Sequence, residues 1–312
     1  MRRIPVVLSL VAVASAAVYL PARQSVQKAT FEVASIKSVA SGRRGPINTS
    51  PGGLFVAAGQ PLQGLITYAY RVRDYQIIGG PTWINLELWE IQAKTPEGSV
   101  APHPRVSRTR PEEMERLLNE PDVISLMLQS LLEERFRLKV HRETRELPIF
   151  EVVVAKGGPK LRLSEDQHPV DPVDGQRPPL PPLANGLPVL QPGSYRISRK
   201  PNGSMRFAAK GLPLWTLINS LKSTLGRPVI DKTDLKGLYD YELEWAMDPV
   251  QVPPSAGDSP TGSNGGLPPA GDPSSGPDLA TALQEQLGLR LVPAKGPVEV
   301  MVIDSVQKPT VN

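Results

Sequence analysis

A chain of 312 residues with no cysteine forms no disulfide, carries no thiolate nucleophile or cysteine-ligated metal, and holds no lipid on a cysteine. Its length suits two domains of ordinary size, and its 35 prolines account for much of the low hydrophobic share of 40%. The formal charge of +4 falls to +2 when Arg2 and Arg3 are set aside, a balance that suggests neither nucleic acid nor a strongly anionic membrane as partner.

Residues 4–20 are apolar, follow those two arginines and grow rich in small residues, which reads as a secretory signal over residues 1–22. Ala12-Val13-Ala14 and Ala14-Ser15-Ala16 fit the small-x-small cleavage pattern, and Leu20-Pro21-Ala22 fits it less well. An uncleaved anchor is the competing reading, although the run falls short of the about 20 residues of a comfortable span. Either way the expected location is extracytoplasmic, periplasmic or secreted, with membrane contact only through an uncleaved signal.

A first lobe is expected over residues 29–162. FEVASIK (31–37) alternates as a strand, residues 41–53 form a turn-rich loop, and residues 54–58 give a second strand. Pro61 opens a helix with Leu62, Leu65, Ile66, Ala69 and Tyr70 on its apolar stripe. Strands follow over 76–78 and 86–93, then a charged helical turn or two over 111–120. A firmer helix starts at Pro121-Asp122, with Ile124, Met127, Leu128, Leu131 and Leu132 on one face. Residues 136–141 and 147–155 read as two further strands. Prolines recur over 163–192, which reads as a stiffened linker.

The second lobe, 193–312, repeats the plan. Strands are expected over 195–198 and 205–209, a helix over 213–225 closed by Gly226, and strands over 228–230 and 239–245. Residues 249–276 are a Pro/Gly/Ser tract and read as a disordered loop. A last helix opens at Pro277-Asp278, followed by strands over 289–291 and 298–304. FVAAGQPLQGLI, from Phe55, recurs as FAAKGLPLWTLI, from Phe207, without a gap. The expected fold is therefore α+β, with two duplicated lobes, each a mostly antiparallel sheet with two helices on one face. Packing as two lobes and sharing of one sheet both stay open.

LMLQSLLEERFRLKVHRETRELPIFEVVVAKGGPKL over residues 126–161 carries a resemblance, supported in order by FEVASIK, IIGGPTW from Ile77, GLYDYELEW from Gly237 and LQEQLGLRLVPAKGPVEVMVID from Leu283. Together these resemble a family of exported soil-bacterial proteins of unknown function, over nearly all of the chain beyond the signal. The resemblance implies envelope direction and no established activity. In some relatives the domain follows a membrane metallopeptidase of the penicillin-sensing antirepressor type, where a sensor would sit; no such peptidase is read in these residues. Each half is also similar in element order to the short N-terminal domain of secretins and TonB-dependent receptors, a docking module.

Catalytic patterns are sparse. His103, His141 and His168 are scattered without a zinc-ligand spacing, so neither a metal nor another cofactor is expected. Ser305-x-x-Lys308 lacks the Ser-Asp-Asn and Lys-Thr-Gly companions of a penicillin-binding site. Asp231, Asp234 and Asp240 have turn rather than calcium-loop spacing, and Glu242 and Glu244 share one strand face without an opposing carboxylate. Arg137 and Lys139, with His141, Arg142 and Arg145, form a basic edge interleaved with acids. Tyr70, Trp83 and Trp215 lie in or beside the first helix of each half, and Trp215 falls off its helix's apolar stripe. These five residues, Trp215, Tyr70, Trp83, Arg137 and Lys139, are the candidates for contact with an envelope protein or small ligand. The pattern suggests a non-catalytic binding or sensing module. A secreted hydrolase whose carboxylates converge only in the fold, or a self-associating structural protein, are the alternatives.

Overall fold

The computed structural model describes residues 28–40, 44–50, 52–99, 108–168, 183–184, 187–246 and 276–310. The expected signal, His103 and all but Gly276 of the expected loop over 249–276 lie outside the described residues.

The first half forms β1 (Val33–Val39), β2 (Ile47–Thr49), β3 (Leu54–Pro61), α1 (Leu62–Tyr70), a 3-10 turn over Asp74–Gln76, β4 (Ile77–Gly79), a short α2 (Trp83–Leu86), β5 (Leu88–Lys94), α3 (Pro111–Asn119), α4 (Val123–Arg135) and β6 (Lys139–Val154). Next come β7 (Arg162–Leu163) and an antiparallel pair, β8 (Leu183–Ala184) with β9 (Leu187–Pro188). The second half forms β10 (Ser194–Arg199), β11 (Met205–Leu212), α5 (Leu214–Leu225), β12 (Val229–Asp231), β13 (Tyr239–Trp245), α6 (Leu279–Leu287) and β14 (Leu289–Ser305). The protein is thus α+β, with one antiparallel sheet β1-β5-β3-β2, a second β10-β11-β13-β7, and a mixed third β12-β6-β14-β4.

The repeated sequence takes the same local geometry in both places. Ala57 pairs with Ile91 and Gln60 with Trp89, so β3 advances three residues against two on β5. Ala209–Tyr241 and Leu212–Tyr239 make the same bulge on β11. The extra residue is left-handed, Gly59 at φ 56° and Gly211 at φ 59°, a conformation a Cβ resists. Asp240 Oδ1 accepts the Gly211 N–H at 2.7 Å, satisfying the donor that the bulge frees. Pro61 and Pro213 share φ −67°, with ψ 152° and 154°, and stand just before helices that begin one residue later than expected. Phe55 and Phe207 are both fully buried. Phe207 stacks between Tyr195 and Tyr241 at 5.4 and 5.9 Å, while Phe55 meets Phe31 and Tyr68 at 5.5 and 6.2 Å.

Side-chain caps begin α4 and α6: Asp122 accepts from Ser125 N at 2.7 Å and Asp278 from Thr281 N at 2.9 Å. Four strands expected separately, over 136–141, 147–155, 289–291 and 298–304, are instead two long ones. β6 and β14 pair antiparallel from Leu289–Val154 to Ser305–Lys139. Pro148, which falls within the strand expected over 147–155, and Pro293 and Pro297, which fall between the strands expected over 289–291 and 298–304, sit inside this ribbon at one parity of the ladder, opposite Lys295, Phe150 and Glu146. Phe150 donates its N–H outward, to Pro228 O at 2.9 Å, so its pair with Pro293 is a non-hydrogen-bonded one. The two-residue period extends this to Pro148 and Pro297. All three prolines therefore lack only an outward N–H that the ribbon does not use.

This ribbon joins the halves reciprocally. β12 of the second half pairs parallel with β6, Val229 against Phe150, and β4 of the first half pairs parallel with β14, Met301 against Ile77. Of the two arrangements the sequence leaves open, the halves adopt the shared sheet. One core gathers Phe55, Leu65, Leu128 and Phe136 with Met301 and Ile303 from the far end of the chain. The other gathers Phe207, Leu217, Leu243 and Leu283 with Val152 from β6. Residues at the start of the expected linker also belong to the second lobe: Leu163 pairs with Tyr239, and Gln167 exchanges hydrogen bonds with the Leu238 backbone at 2.8 and 2.9 Å.

Candidate functional site

Helix α5 buries Leu214, Leu217, Ile218 and Leu221 in the second core. That leaves Trp215, Asn219 and Lys222, at i, i+4 and i+7, on a different face of the helix. Opposite this face α1 ends at Arg71, left-handed at φ 55°, and the chain runs through Val72–Gln76 into β4. Arg73 crosses the gap, donating to Ser223 Oγ at 2.7 Å and Asn219 Oδ1 at 2.8 Å. Gln76 Nε2 donates to Glu299 O at 2.9 Å, tying the same segment to the ribbon.

Between these walls lies a cavity of about 470 Å³, also lined by Ile230 of β12 and by Pro297–Glu299 of β14. A second, of about 360 Å³, adjoins it and is lined by Tyr195, Ile197 and Thr216. Both share Leu118, Trp215 and Asn219, so the half-buried indole of Trp215 and the Leu118 side chain stand where the two meet. Leu118 belongs to α3, a helix with no buried residue, whose ion pairs Arg110–Glu113 and Arg116–Glu120 are local. The combined cleft has the size and mixed lining of a small-molecule site.

Charges in the larger cavity are unevenly matched. Arg71 pairs with Asp122 at 2.8 Å and lies over the Tyr68 ring, and Glu299 is taken by Arg142. Arg73 meets only neutral oxygens, and Lys222 makes no hydrogen bond or ion pair among the described residues. Burial pulls the Lys222 ammonium below its usual pKa, with Glu115 opposing that shift and Arg73 adding to it. Burial also raises the Tyr75 phenol, with Arg73 acting against it.

Of the five expected contact residues, Trp215 alone lines this cleft. Tyr70 is in the first core, its hydroxyl buried without a hydrogen-bond partner and its pKa pushed up to about 12 by burial, with Glu133 adding to the rise. Trp83 packs edge-on against Trp89 at 6.4 Å beneath Lys308. Arg137, left-handed at φ 50°, and Lys139 are exposed at the start of the ribbon. The structure therefore does not gather the five into one site. The cleft also holds Arg73 and Lys222, which are not among the five. Lys222 shares a helix face with Trp215, a signal that was available, whereas nothing local marks Arg73.

His141 gains a partner invisible in sequence: its Nδ1 lies 2.8 Å from Asp304 Oδ1, across the ribbon, and Glu143 is 3.7 Å from Nε2. His141 and Asp304 are exposed and Glu143 is half-buried. Asp231 caps Thr233, Glu242 pairs with Arg206 at 2.6 Å and Glu244 with Lys200, so these acids serve turns and cross-strand pairs. Among the described residues no cluster of three or more His, Asp or Glu is placed to hold a metal ion, and no helix is long and apolar enough to cross a membrane.

Neither a curated protein nor a solved structure matches the chain. A family model described as protein of unknown function (DUF3738) matches residues 63–306, well over half of the chain and most of both lobes, and the protein belongs to that family.

Proposed function

We propose that the protein is an exported, non-catalytic binding or sensing module of the cell envelope, and that its ligand occupies the cleft between the two lobes. The observation that carries this reading is Trp215, a half-buried indole at the junction of two adjoining cavities. A large aromatic group left partly exposed in a concave site forgoes burial free energy that a bound molecule would recover. Export is supported by the arginine-led apolar run of residues 4–20, and an envelope role by the family resemblance.

The test is cross-linking of the protein in its native envelope, with protein and small-molecule adducts both read by mass spectrometry. The expected result is a reproducible adduct on cleft residues that disappears in Trp215→Ala while the unfolding transition stays unchanged. Cross-links only within the chain or between its own copies would overturn the proposal.

A further inference from the structure

Taking the cleft as the binding site proposed above, the geometry points to its ligand class: a small amphipathic anion whose aromatic or acyl body lies against Trp215 and Leu118 and whose carboxylate or phosphate lies between Arg73 and Lys222.

Two like charges face the larger cavity. Arg73 and Lys222 line one cavity, where burial lowers the Lys222 ammonium, the Glu115 carboxylate opposes that shift and the Arg73 charge adds to it. Arg73 spends two donors on the neutral oxygens of Ser223 and Asn219, and Lys222 has none of its donors matched among the described residues. Of the two carboxylates of the lining, Glu115 is exposed on α3, where it acts on Lys222 through space without an ion pair, and Glu299 is held by Arg142. A half-buried cation loses hydration, and a cation pair adds repulsion; an anion between them relieves both and forms charge-assisted hydrogen bonds. Structural ion pairing alone does not account for the arrangement: the neighbouring Arg71 and Arg142 are each in bonded contact with a carboxylate, whereas Arg73 bonds only neutral oxygens and Lys222 feels Glu115 without an ion pair among the described residues.

The apolar half of the ligand follows from the rest of the lining. Trp215, Leu118, Ile230 and Val298 face the larger cavity, and beyond Trp215 the smaller one continues with Tyr195 and Ile197, 40% and 45% exposed. A bare inorganic anion would leave this surface uncovered, and a neutral apolar molecule would leave the cations unmatched.

The test is titration calorimetry of the purified protein with 2-naphthoate, 2-naphthyl phosphate and the uncharged 2-naphthamide. At least one anion is expected to bind at one site per chain at least tenfold more tightly than the amide. Which of the two is tighter separates a carboxylate from a phosphate source. Lys222→Met should remove that tenfold preference and leave amide binding unchanged, while Trp215→Ala should weaken anion and amide alike. Urea midpoints check that each variant is folded, and Lys222→Gln replaces Lys222→Met if the latter is not. Equal binding of amide and anions, or an anion preference that survives both Lys222 variants, would overturn the anion assignment while leaving the cleft as a binding site. Absence of binding by all three probes would overturn this ligand class, and the cross-linking outcome would then decide the cleft separately.

Discussion

Replacing Gly288 with alanine tests how the halves meet. Gly288 ends α6 in the left-handed region at φ 65°, and an added Cβ would lie 2.2 Å from Gly158 O, 2.8 Å from Lys160 N and 3.1 Å from the Pro159 carbonyl carbon. All three are backbone atoms, held in place by Ala155 N donating to Gly288 O at 2.9 Å and Lys160 N donating to Leu287 O at 2.8 Å. Left-handed alanine costs about 1 kcal/mol, relief of the overlap by backbone movement about 1–3 kcal/mol, and loss of one of the two hydrogen bonds about 1 kcal/mol. The expected loss is therefore about 3–5 kcal/mol, a large part of the stability of an ordinary domain. Gly226→Ala is the control: it ends α5 at φ 57° with nothing within 4 Å of its Cβ, so only the conformational cost of about 1 kcal/mol applies. Urea denaturation followed by tryptophan fluorescence and circular dichroism gives both values. Equal losses in the two variants would refute the tight joint between residues 155–160 and the end of α6.

Met301→Ala removes a side chain 1% exposed in the first core, contributed by the last strand, and should cost about 2–4 kcal/mol. A chain ending at residue 168 lacks that strand altogether and should show no cooperative unfolding transition; a sharp one would refute the interlocked core. Asp240→Ala removes the acceptor of the Gly211 N–H and should cost about 1–2 kcal/mol by urea midpoint, an effect absent if the bulge donor finds water. Burial holds the Tyr70 phenol up to about 12, above its ordinary 10.0, so its contribution is fully present below pH 10 and is lost as pH rises through about 12. The urea midpoint should accordingly fall across that window, and less steeply in Tyr70→Phe; identical slopes would contradict the assignment.

What sequence could and could not reveal divides along physical lines. The paired segments at Phe55 and Phe207 were legible because a glycine bulge followed by proline and an apolar helical stripe is a local instruction, and it folds alike in both places. Asp122 and Asp278 likewise mark helix starts through bonds that span three residues. The ribbon was not legible. Pro293 and Pro297 fall between two strands expected separately, and only their parity in a ladder formed across the chain, which Pro148 shares, lets one strand run through them. The pairing of β4 with β14 and of β12 with β6 is long-range in the same sense. The cleft falls between the two regimes. Trp215 stands out because it lies off the apolar stripe, and Lys222 lies on the same face, but Arg73 joins them only through a turn that follows left-handed Arg71.

The interlock bears directly on how the cleft works. Its larger cavity is lined by α5, by the segment leading from α1 into β4, and by β12 and β14, and β4 and β12 are both hydrogen-bonded into the ribbon. Moving one lobe against the other would strain strands that belong to both cores, so these walls are costly to displace and the separation of Arg73 and Lys222 is largely fixed before a ligand arrives. Helix α3 is different. It lines both cavities yet buries no residue of its own, so it is the part of the lining that moves at least cost. Charge selection is thus assigned to the rigid wall and adjustment to ligand size to α3. A ligand at about a hundred times its dissociation constant would add about 2.7 kcal/mol to the stability of whatever unfolds with the site. Because the ribbon runs through both cores, that increment should appear in one common transition rather than in one lobe alone.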